Sequence, residues 1–267
     1  MHAYAIWNNK GGTGKSTITF HAASRFAERH EGRRVLVIDM CPQANGSMLL
    51  LGGGQQGETR LLDLCNRADP KSVVGYLSKS ILSRKAPNVL DYAVQLSEVN
   101  RKMPSNMFII AGDGNLEIMA PAITEEALRT PIPGLPDPWR AVHEVFLSLI
   151  NDLKADDWTI FFDTNPSFSI YTELAICSAT RLLLPINADD SSRVAVRAAF
   201  DLIYGSNPPH PFFGNYTFAS RASARGMKLP VVHLAIGNRF TQYKGAAAAY
   251  KAFSIQSIFG CHRRSTI

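Results

Sequence analysis

The chain has 267 residues, which is long enough for one or two domains and for a sizeable buried core. Hydrophobic residues make up 46% of the chain and charged residues 19%, and this composition excludes an intrinsically disordered protein. The formal net charge is +6, no apolar run approaches the roughly 20 residues of a membrane-spanning helix, and the first residues lack a secretory signal pattern. Because the four cysteines are also far apart, without the spacing of a metal site, we expect a reduced, cytoplasmic protein.

Short apolar runs alternate along the chain with stretches of helical periodicity. The predicted strands cover residues 4–7, 35–38, 107–111, 159–162, 181–185 and 231–236, and the predicted helices cover residues 15–29, 138–153, 170–179 and 193–204. This alternation predicts an α/β fold, a mostly parallel twisted sheet with helices on both faces. Residues 52–57, 130–138 and 206–213 are predicted to be irregular because they are rich in Gly or Pro. None of them has the composition of a linker, so we expect a single domain over residues 1–267.

The first predicted strand leads into a glycine-rich loop, Asn9-Lys10-Gly11-Gly12-Thr13-Gly14-Lys15-Ser16-Thr17. Glycines allow the backbone to fold tightly around an anion, and a helix that begins near Lys15 adds the positive end of its dipole. Lys15 is placed to reach the outer phosphates of a nucleoside triphosphate, and the Ser16 hydroxyl is placed to bind Mg²⁺. The pattern predicts a P-loop that binds ATP through Lys10, Gly11, Gly12, Thr13, Gly14, Lys15, Ser16 and Thr17.

The additional lysine before the glycines, Lys10, is the mark of a deviant Walker A motif. In this respect the chain resembles the ParA/MinD family of P-loop ATPases, which partition plasmids and chromosomes or position division machinery. The resemblance implies that Lys10 reaches across the interface of an ATP-bound homodimer to the partner's nucleotide. A solvated loop lysine is the alternative reading of Lys10.

The second predicted strand ends in Asp39-Met40-Cys41-Pro42-Gln43, which resembles the family's Walker A′ segment. The resemblance gives Asp39 a catalytic role, either in ordering Mg²⁺-bound water or in holding the loop. Cys41 stands where the family usually has a second aspartate that orients the attacking water. A neutral thiol accepts hydrogen bonds only weakly, so we expect slow or partner-dependent hydrolysis. The alternative is that Cys41 is a small buried side chain and that Asp39 or another residue performs the task.

A later apolar strand ends in Asp163, as in a Walker B segment, where a carboxylate holds Mg²⁺ through water. We therefore predict that Ser16 and Asp163 hold the metal, with a helix cap as the alternative role for Asp163. By resemblance, the next residues, Thr164, Asn165 and Pro166, form a switch that senses the γ-phosphate. Asn238 follows another strand where the family places adenine contacts, although Asn in that position is also a common turn former.

Positive charge is concentrated late in the chain, because ten Lys or Arg and two Asp or Glu lie between Asp190 and the C-terminus. This asymmetry favours a polyanion partner, DNA or an acidic membrane, over an ordinary solvated surface. By resemblance we expect a nucleoid-associated ATPase that binds DNA without sequence preference and responds to a cargo adaptor or a stimulating protein. The candidate DNA contacts are Arg193, Arg197, Arg221, Arg225, Lys228, Lys244 and Lys251.

The runner-up prediction is a MinD-like ATPase that associates with membranes through the C-terminal segment 253–264. The apolar residues of that segment do not form a clean helical stripe, so a packed terminal element is the preferred reading. Metabolic enzymes share the same nucleotide fold, and the loop alone does not exclude a ligase-type relative.

Overall fold

The structure, a computed structural model, describes residues 1–187 and 190–238. Its strands form one seven-stranded sheet in the order β3-β4-β2-β5-β1-β6-β7. They are β1 (His2–Ile6), β2 (Arg34–Met40), β3 (Val94–Gln95), β4 (Met107–Ile110), β5 (Trp158–Thr164), β6 (Arg181–Asn187) and β7 (Val231–Asn238). Within this described sheet every neighbouring pair is parallel except β3–β4. The predicted mostly parallel α/β sheet is therefore confirmed.

Helices connect the strands and cover both faces of the sheet. They are α1 (Lys15–Arg29), α2 (Asn45–Leu50), α3 (Gly54–Cys65), α4 (Val73–Leu77), α5 (Leu96–Val99), α6 (Asn115–Ala127), α7 (Pro138–His143), α8 (Val145–Asp152), α9 (Ile170–Ser178), α10 (Asp190–Tyr204) and α11 (Phe218–Ala224). Adjacent residues of β5 belong to different cores, Phe161 to one face and Phe162 to the other. Because side chains alternate along a strand, a strand that is apolar throughout needs cover on both faces.

Apart from shifts of one to three residues at element ends, the structure differs from the prediction in two helical regions. The predicted irregular segment 52–57 is wrong after Gly53, because α3 begins at Gly54. Gly57 of α3 lies so close to the Met48 carbonyl of α2 that a Cβ there would collide with it. This close packing of two helices stabilises a helix in a sequence whose glycines disfavour one.

The predicted helix 138–153 is two helices, which meet at Glu144. The bend allows α7 to pack against both α6 and α9, while α8 packs against α9. The start of α7 agrees with the sequence, since Pro138 is its first residue and the Asp137 carboxylate accepts a hydrogen bond from Arg140 N at 2.8 Å.

The strand register brings the predicted site together at the carboxyl edge of the sheet. Asp39 of β2 is the Cα partner of Asp163 of β5, and Ile6 of β1 pairs with Asp163 on the other side. The glycine-rich loop leaves β1 directly beside these carboxylates. Ligands of open α/β sheets bind at this edge. In the described part of the chain, no helix is long and apolar enough to cross a bilayer.

Candidate nucleotide-binding site

The glycine-rich loop leads directly into the first turn of α1, which begins at Lys15. Gly12 and Gly14 have φ values of 68° and 86°, a conformation that disfavours any residue with a Cβ. Within the described residues, no carbonyl or side chain accepts a hydrogen bond from the amide N–H groups of residues 11–17. Unpaired amides at a helix N-terminus form a ready site for a phosphate group.

The Lys15 side chain folds back over the start of the glycine-rich loop. Its side chain is only 6% exposed, and its Nζ donates to Asn8 O at 3.1 Å and to Lys10 O at 3.0 Å. Burial lowers the pKa of Lys15 to about 8, and the neighbouring Asp163 carboxylate opposes part of that shift. A bound phosphate would add negative charge beside the ammonium group and so favour its protonated form.

Asn8 is a site residue that the sequence interpretation missed. Its Nδ2 donates to Pro185 O of β6 at 2.7 Å, and its Oδ1 accepts from Lys10 N at 2.9 Å. Asn8 therefore fixes the start of the loop to the neighbouring strand. Its place directly before the motif was the only signal in the sequence.

Asp163 is fully buried beside the loop, as predicted for a Walker B aspartate. The Thr19 hydroxyl donates to Asp163 Oδ1 at 3.1 Å, and the nearby Ser16 hydroxyl lowers the pKa of the same carboxyl group. Burial raises the pKa of Asp163 to about 7, and the nearby Asp39 carboxylate adds to this rise. Thr19 was not predicted, although its spacing from Lys15 and Ser16 places it on the same face of α1.

The second carboxylate oxygen of Asp163 has no hydrogen-bond partner within the described structure. A buried carboxylate oxygen without a partner is costly, and a cation would satisfy it. Mg²⁺ in P-loop proteins is held by a hydroxyl group, water and phosphate oxygens together with one or two carboxylates. Ser16 and Asp163 fit such a metal. The described residues contain no cluster of three or more His, Cys, Asp or Glu that would hold a metal without a nucleotide.

Asp39 accepts three hydrogen bonds from the loop and the helix α2 that follow it. One carboxylate oxygen accepts from Cys41 N at 3.0 Å, and the other accepts from Ser47 N and Ser47 Oγ at 2.8 and 2.7 Å. Ser47 Oγ lies 2.8 Å from Gly112 N, which ties the loop to the end of β4. Burial raises the pKa of Asp39. Of the two roles predicted for Asp39, this geometry favours holding the loop. No spacing in the sequence pointed to Ser47.

Cys41 is a buried, neutral thiol near the two carboxylates. It is 4% exposed, and its Sγ lies 3.7 Å from Gln43 Oε1, to which it donates. Burial raises the pKa of Cys41 to about 12, and the Asp39 carboxylate adds to the effect. The side chain therefore stays protonated at neutral pH and offers an attacking water only a weak acceptor.

Lys10 and Asn238 contact parts of the same chain. Lys10 Nζ donates to Ser192 Oγ of α10 at 3.3 Å. Asn238 Nδ2 donates to Thr13 O at 2.9 Å, and a Cβ on Gly14 would collide with it. The visible role of Asn238 is thus to support the loop, and its predicted contact with adenine stays a prediction.

The predicted switch residues follow β5 beside the loop. Thr164 Oγ1 donates to Ile6 O at 2.6 Å, and Asn165 Oδ1 accepts from Ser167 N at 3.0 Å. The Thr164 bond attaches the segment to β1, the strand that leads into the P-loop, and the Asn165 bond is a local turn.

The predicted DNA-contacting residues fall into three groups. Arg193, Arg197 and Lys228 are exposed. Arg221 and Arg225 are half-buried, and Arg225 donates to Asp137 at 2.8 Å and lies over the Trp139 ring. An arginine already paired with a carboxylate is less available to phosphate, and the contact of Arg225 with DNA stays a prediction. Lys244, Lys251 and the predicted membrane segment 253–264 lie outside the described residues.

Comparison with known proteins identifies the family. A family model described as an AAA domain (AAA_31) matches residues 1–203. The chain belongs to this family and is a ParA/MinD-type P-loop ATPase. The ParA/MinD family is involved in positioning and partitioning.

Two curated proteins resemble this ParA/MinD-type ATPase in sequence. The cell division protein PomZ of Myxococcus xanthus is 29% identical over 196 residues, which are 73% of this chain and 49% of PomZ. An uncharacterised protein of Methanocaldococcus jannaschii is 23% identical over 76% of this chain and 65% of its own length. The chain therefore spans about half to two thirds of the length of these relatives.

Solved structures share the fold of this ParA/MinD-type ATPase. A Cyanothece McdA variant in complex with ATP has a TM-score of 0.67 at 16% identity, over 96% of this chain and 78% of that one. A plasmid partition protein from Borrelia burgdorferi has a TM-score of 0.59 at 16% identity, over 98% and 86% of the two chains. At this level of identity the likeness establishes the fold alone.

Proposed function

We propose that this protein is a ParA-like ATPase that binds Mg-ATP at the glycine-rich loop and uses it to position cargo. The observation that carries the proposal is the fully buried Asp163 oxygen beside Ser16 and Lys15, which has no hydrogen-bond partner among the described residues. A cation would satisfy this oxygen, and an anion would accept hydrogen bonds from the loop amides that have no acceptor in the described structure. Mg-ATP supplies both the cation and the anion.

The residues of the site have three roles in this proposal: they bind the phosphates, hold the metal and position the loop. The amides of residues 11–17 and the Lys15 ammonium bind and orient the phosphates, since they stabilise negative charge in a buried site. Ser16 and Asp163 would hold Mg²⁺, which supplies charge neutralisation on the phosphate oxygens. Asp39, through Ser47 and Cys41 N, positions the loop that faces the phosphates.

Hydrolysis is slow in the proposed mechanism because Cys41 replaces a carboxylate. The thiol is protonated and donates to Gln43, so it neither accepts a proton from water nor orients it strongly. A slow ATPase persists in its ATP-bound form until a partner protein completes the site.

The ATP-bound form is proposed to be a homodimer that binds DNA without sequence preference. The family resemblance of Lys10 supports the dimer. The exposed Arg193, Arg197 and Lys228 support an electrostatic contact with DNA phosphates.

Calorimetry and sedimentation test the nucleotide step. We expect the wild-type protein to bind Mg-ATP, because the loop amides, Lys15 and the metal ligands lie together. We expect the ATP-bound protein to sediment as a dimer, because the family resemblance implies that Lys10 reaches the partner's nucleotide. Lys15→Ala should weaken ATP binding at least 100-fold and remain monomeric, since it removes the buried cation. Lys102→Ala, an exposed lysine far along the chain, is the control. Absence of ATP binding by the wild-type protein would overturn the proposal.

A further inference from the structure

A second charged cavity lies away from the nucleotide site. It has a volume of about 280 Å³ and is lined by Arg129, Arg221, Arg225, Asp137 and Trp139, together with alanine, leucine and proline side chains. We call it the arginine cleft. Helix α6 starts at the carboxyl end of β4 and ends beside Arg129, while α11 ends beside Arg225, shortly before β7 begins. The cleft is therefore at the amino edge of the sheet, opposite the P-loop.

The cations of the arginine cleft differ in how far they are neutralised. Arg225 donates to Asp137 at 2.8 Å and to Arg221 O at 3.2 Å. Arg129 contacts Glu126 at 2.6 Å, but Glu126 also contacts Arg84 at 3.1 Å, so two guanidinium groups share one carboxylate. Among the described residues, no ion-pair partner of Arg221 is found. A half-buried guanidinium group that has no carboxylate beside it attracts an oxyanion.

An apolar groove continues from the arginine cleft. Its volume is about 610 Å³, and Arg129 and Pro138 line both cavities. Ile132 and Leu135 are 61% and 63% exposed on the wall of the groove. Large exposed apolar side chains next to a cavity are typical of a binding surface.

The charge of the two cavities taken together is positive. Five basic residues line them (Arg84, Lys85, Arg129, Arg221 and Arg225), against three acidic residues in or beside them (Glu126, Asp137 and Asp152). A ligand that matches this surface carries negative charge at one end and apolar groups at the other.

We propose that the arginine cleft and the adjoining groove bind an extended segment of a partner protein. An Asp or Glu side chain of that segment enters the cleft and pairs with Arg221, and its apolar side chains pack beside Ile132 and Leu135. DNA supplies the negative charge but no apolar side chains for the groove. This inference goes beyond the proposed ATPase, and binding here does not require nucleotide turnover.

Peptide selection tests the inference. A phage library of random dodecapeptides is selected on the full-length protein and counter-selected on Arg221→Glu. We expect the recovered peptides to contain Asp or Glu near apolar residues. Measured by fluorescence anisotropy of the synthetic peptides, Arg221→Gln should weaken binding about tenfold, and Ile132→Ser and Leu135→Ser several-fold each. Arg25→Gln, an exposed arginine on α1, should leave binding unchanged.

Three results would overturn the inference. The first is that no peptide distinguishes the wild-type protein from Arg221→Glu although both have the same melting temperature. The second is that the discriminating peptides lack acidic residues. The third is that Arg221→Gln reduces the affinity for duplex DNA as much as Arg193→Gln does, which would assign the cleft to a DNA surface. None of these results bears on ATP binding, so the two proposals fail separately.

Discussion

Two aspartates at the ends of neighbouring strands have opposite environments. Asp39 receives three hydrogen bonds from the loop that follows it, whereas one oxygen of Asp163 has no partner among the described residues. Both are fully buried, so hydrogen bonding alone separates a carboxylate that holds structure from one that is available to a cation.

Restoring the carboxylate at position 41 is expected to accelerate hydrolysis. Cys41→Asp should raise the ATP turnover about 100-fold, because a carboxylate accepts a hydrogen bond from the attacking water far better than a thiol does. Phosphate release at saturating Mg-ATP measures the rate. Cys41→Ser is the matched control and should give no gain. Equal turnover of wild type and Cys41→Asp, with ATP binding intact, would contradict the role given to Cys41.

The protonation of Asp163 makes the stability of the nucleotide-free protein depend on pH. Its folded pKa of about 7 lies above the ordinary value of 3.8, so between these values the folded state binds more protons than the unfolded state. The contribution of this residue to stability is therefore present below pH 4 and is lost as the pH rises through 7. Each pKa unit corresponds to about 1.4 kcal/mol.

Urea unfolding in EDTA at pH 5 and pH 8 measures this effect. The free energy of unfolding should fall with rising pH in the wild type, and the fall should be much smaller in Asp163→Asn. Asp156→Asn, at an exposed ion pair with Arg34, should behave like the wild type. A variant that keeps the full pH dependence would rule out Asp163 as its source.

At the scale of elements, the short helix α2 after β2 packs closely against the two buried aspartates. Gly46 in α2 lies so close to the carboxylates that a Cβ there would collide with Asp163 Oδ2 and would lie 3.3 Å from Asp39 Oδ2. The absence of a side chain at this point therefore keeps space open beside Asp163 Oδ2.

Gly46→Ala tests this close approach. Helix propensity alone favours alanine by about 1 kcal/mol, but the collision should reverse the sign, lower the melting temperature and weaken Mg-ATP binding at least tenfold. Gly114→Ala is the control, because the nearest atom to a Cβ there is 3.9 Å away. Thermal unfolding and calorimetry give both quantities. A more stable Gly46→Ala with normal ATP affinity would show that the space is not needed.

At the scale of the molecule, the arginines proposed to contact DNA lie on a helix that contacts the nucleotide-binding loop. The exposed Arg193 and Arg197 lie on α10, which follows β6 close to Lys10, and Ser192 of the same helix contacts Lys10. A nucleotide that moves Lys10 would therefore also affect α10, the helix that carries the proposed DNA contacts.

The affinity for DNA should depend on ATP and decline steeply with salt. Each phosphate contact contributes about −0.9 to the slope of log K against log salt, so Arg193→Gln and Arg197→Gln should each reduce that slope by about one. Fluorescence anisotropy with duplexes of unrelated sequence at several salt concentrations measures this. Arg25→Gln is the control. Binding that is insensitive to salt, or that selects one sequence, would contradict non-specific DNA binding.

Local patterns were enough to predict six of the seven described strands, the glycine-rich loop and the two strand-terminal aspartates, but not the two-residue edge strand β3. These features depend on periodicity and on residues that are adjacent in the chain, so the information lies within a few positions. The bend at Glu144 and the helix that starts at Gly54 were missed because packing against other helices overrides local preference there.

The contacts that give the site residues their roles join distant parts of the chain. Asn8 bonds to Pro185, Lys10 to Ser192, Thr13 to Asn238, and Arg225 to Asp137. Composition and spacing do not predict such pairs, because these atoms come within hydrogen-bond distance only when the chain folds. The sequence also did not predict that one Asp163 oxygen has no hydrogen-bond partner in the described structure. Whether a buried carboxylate is satisfied depends on every element packed around it.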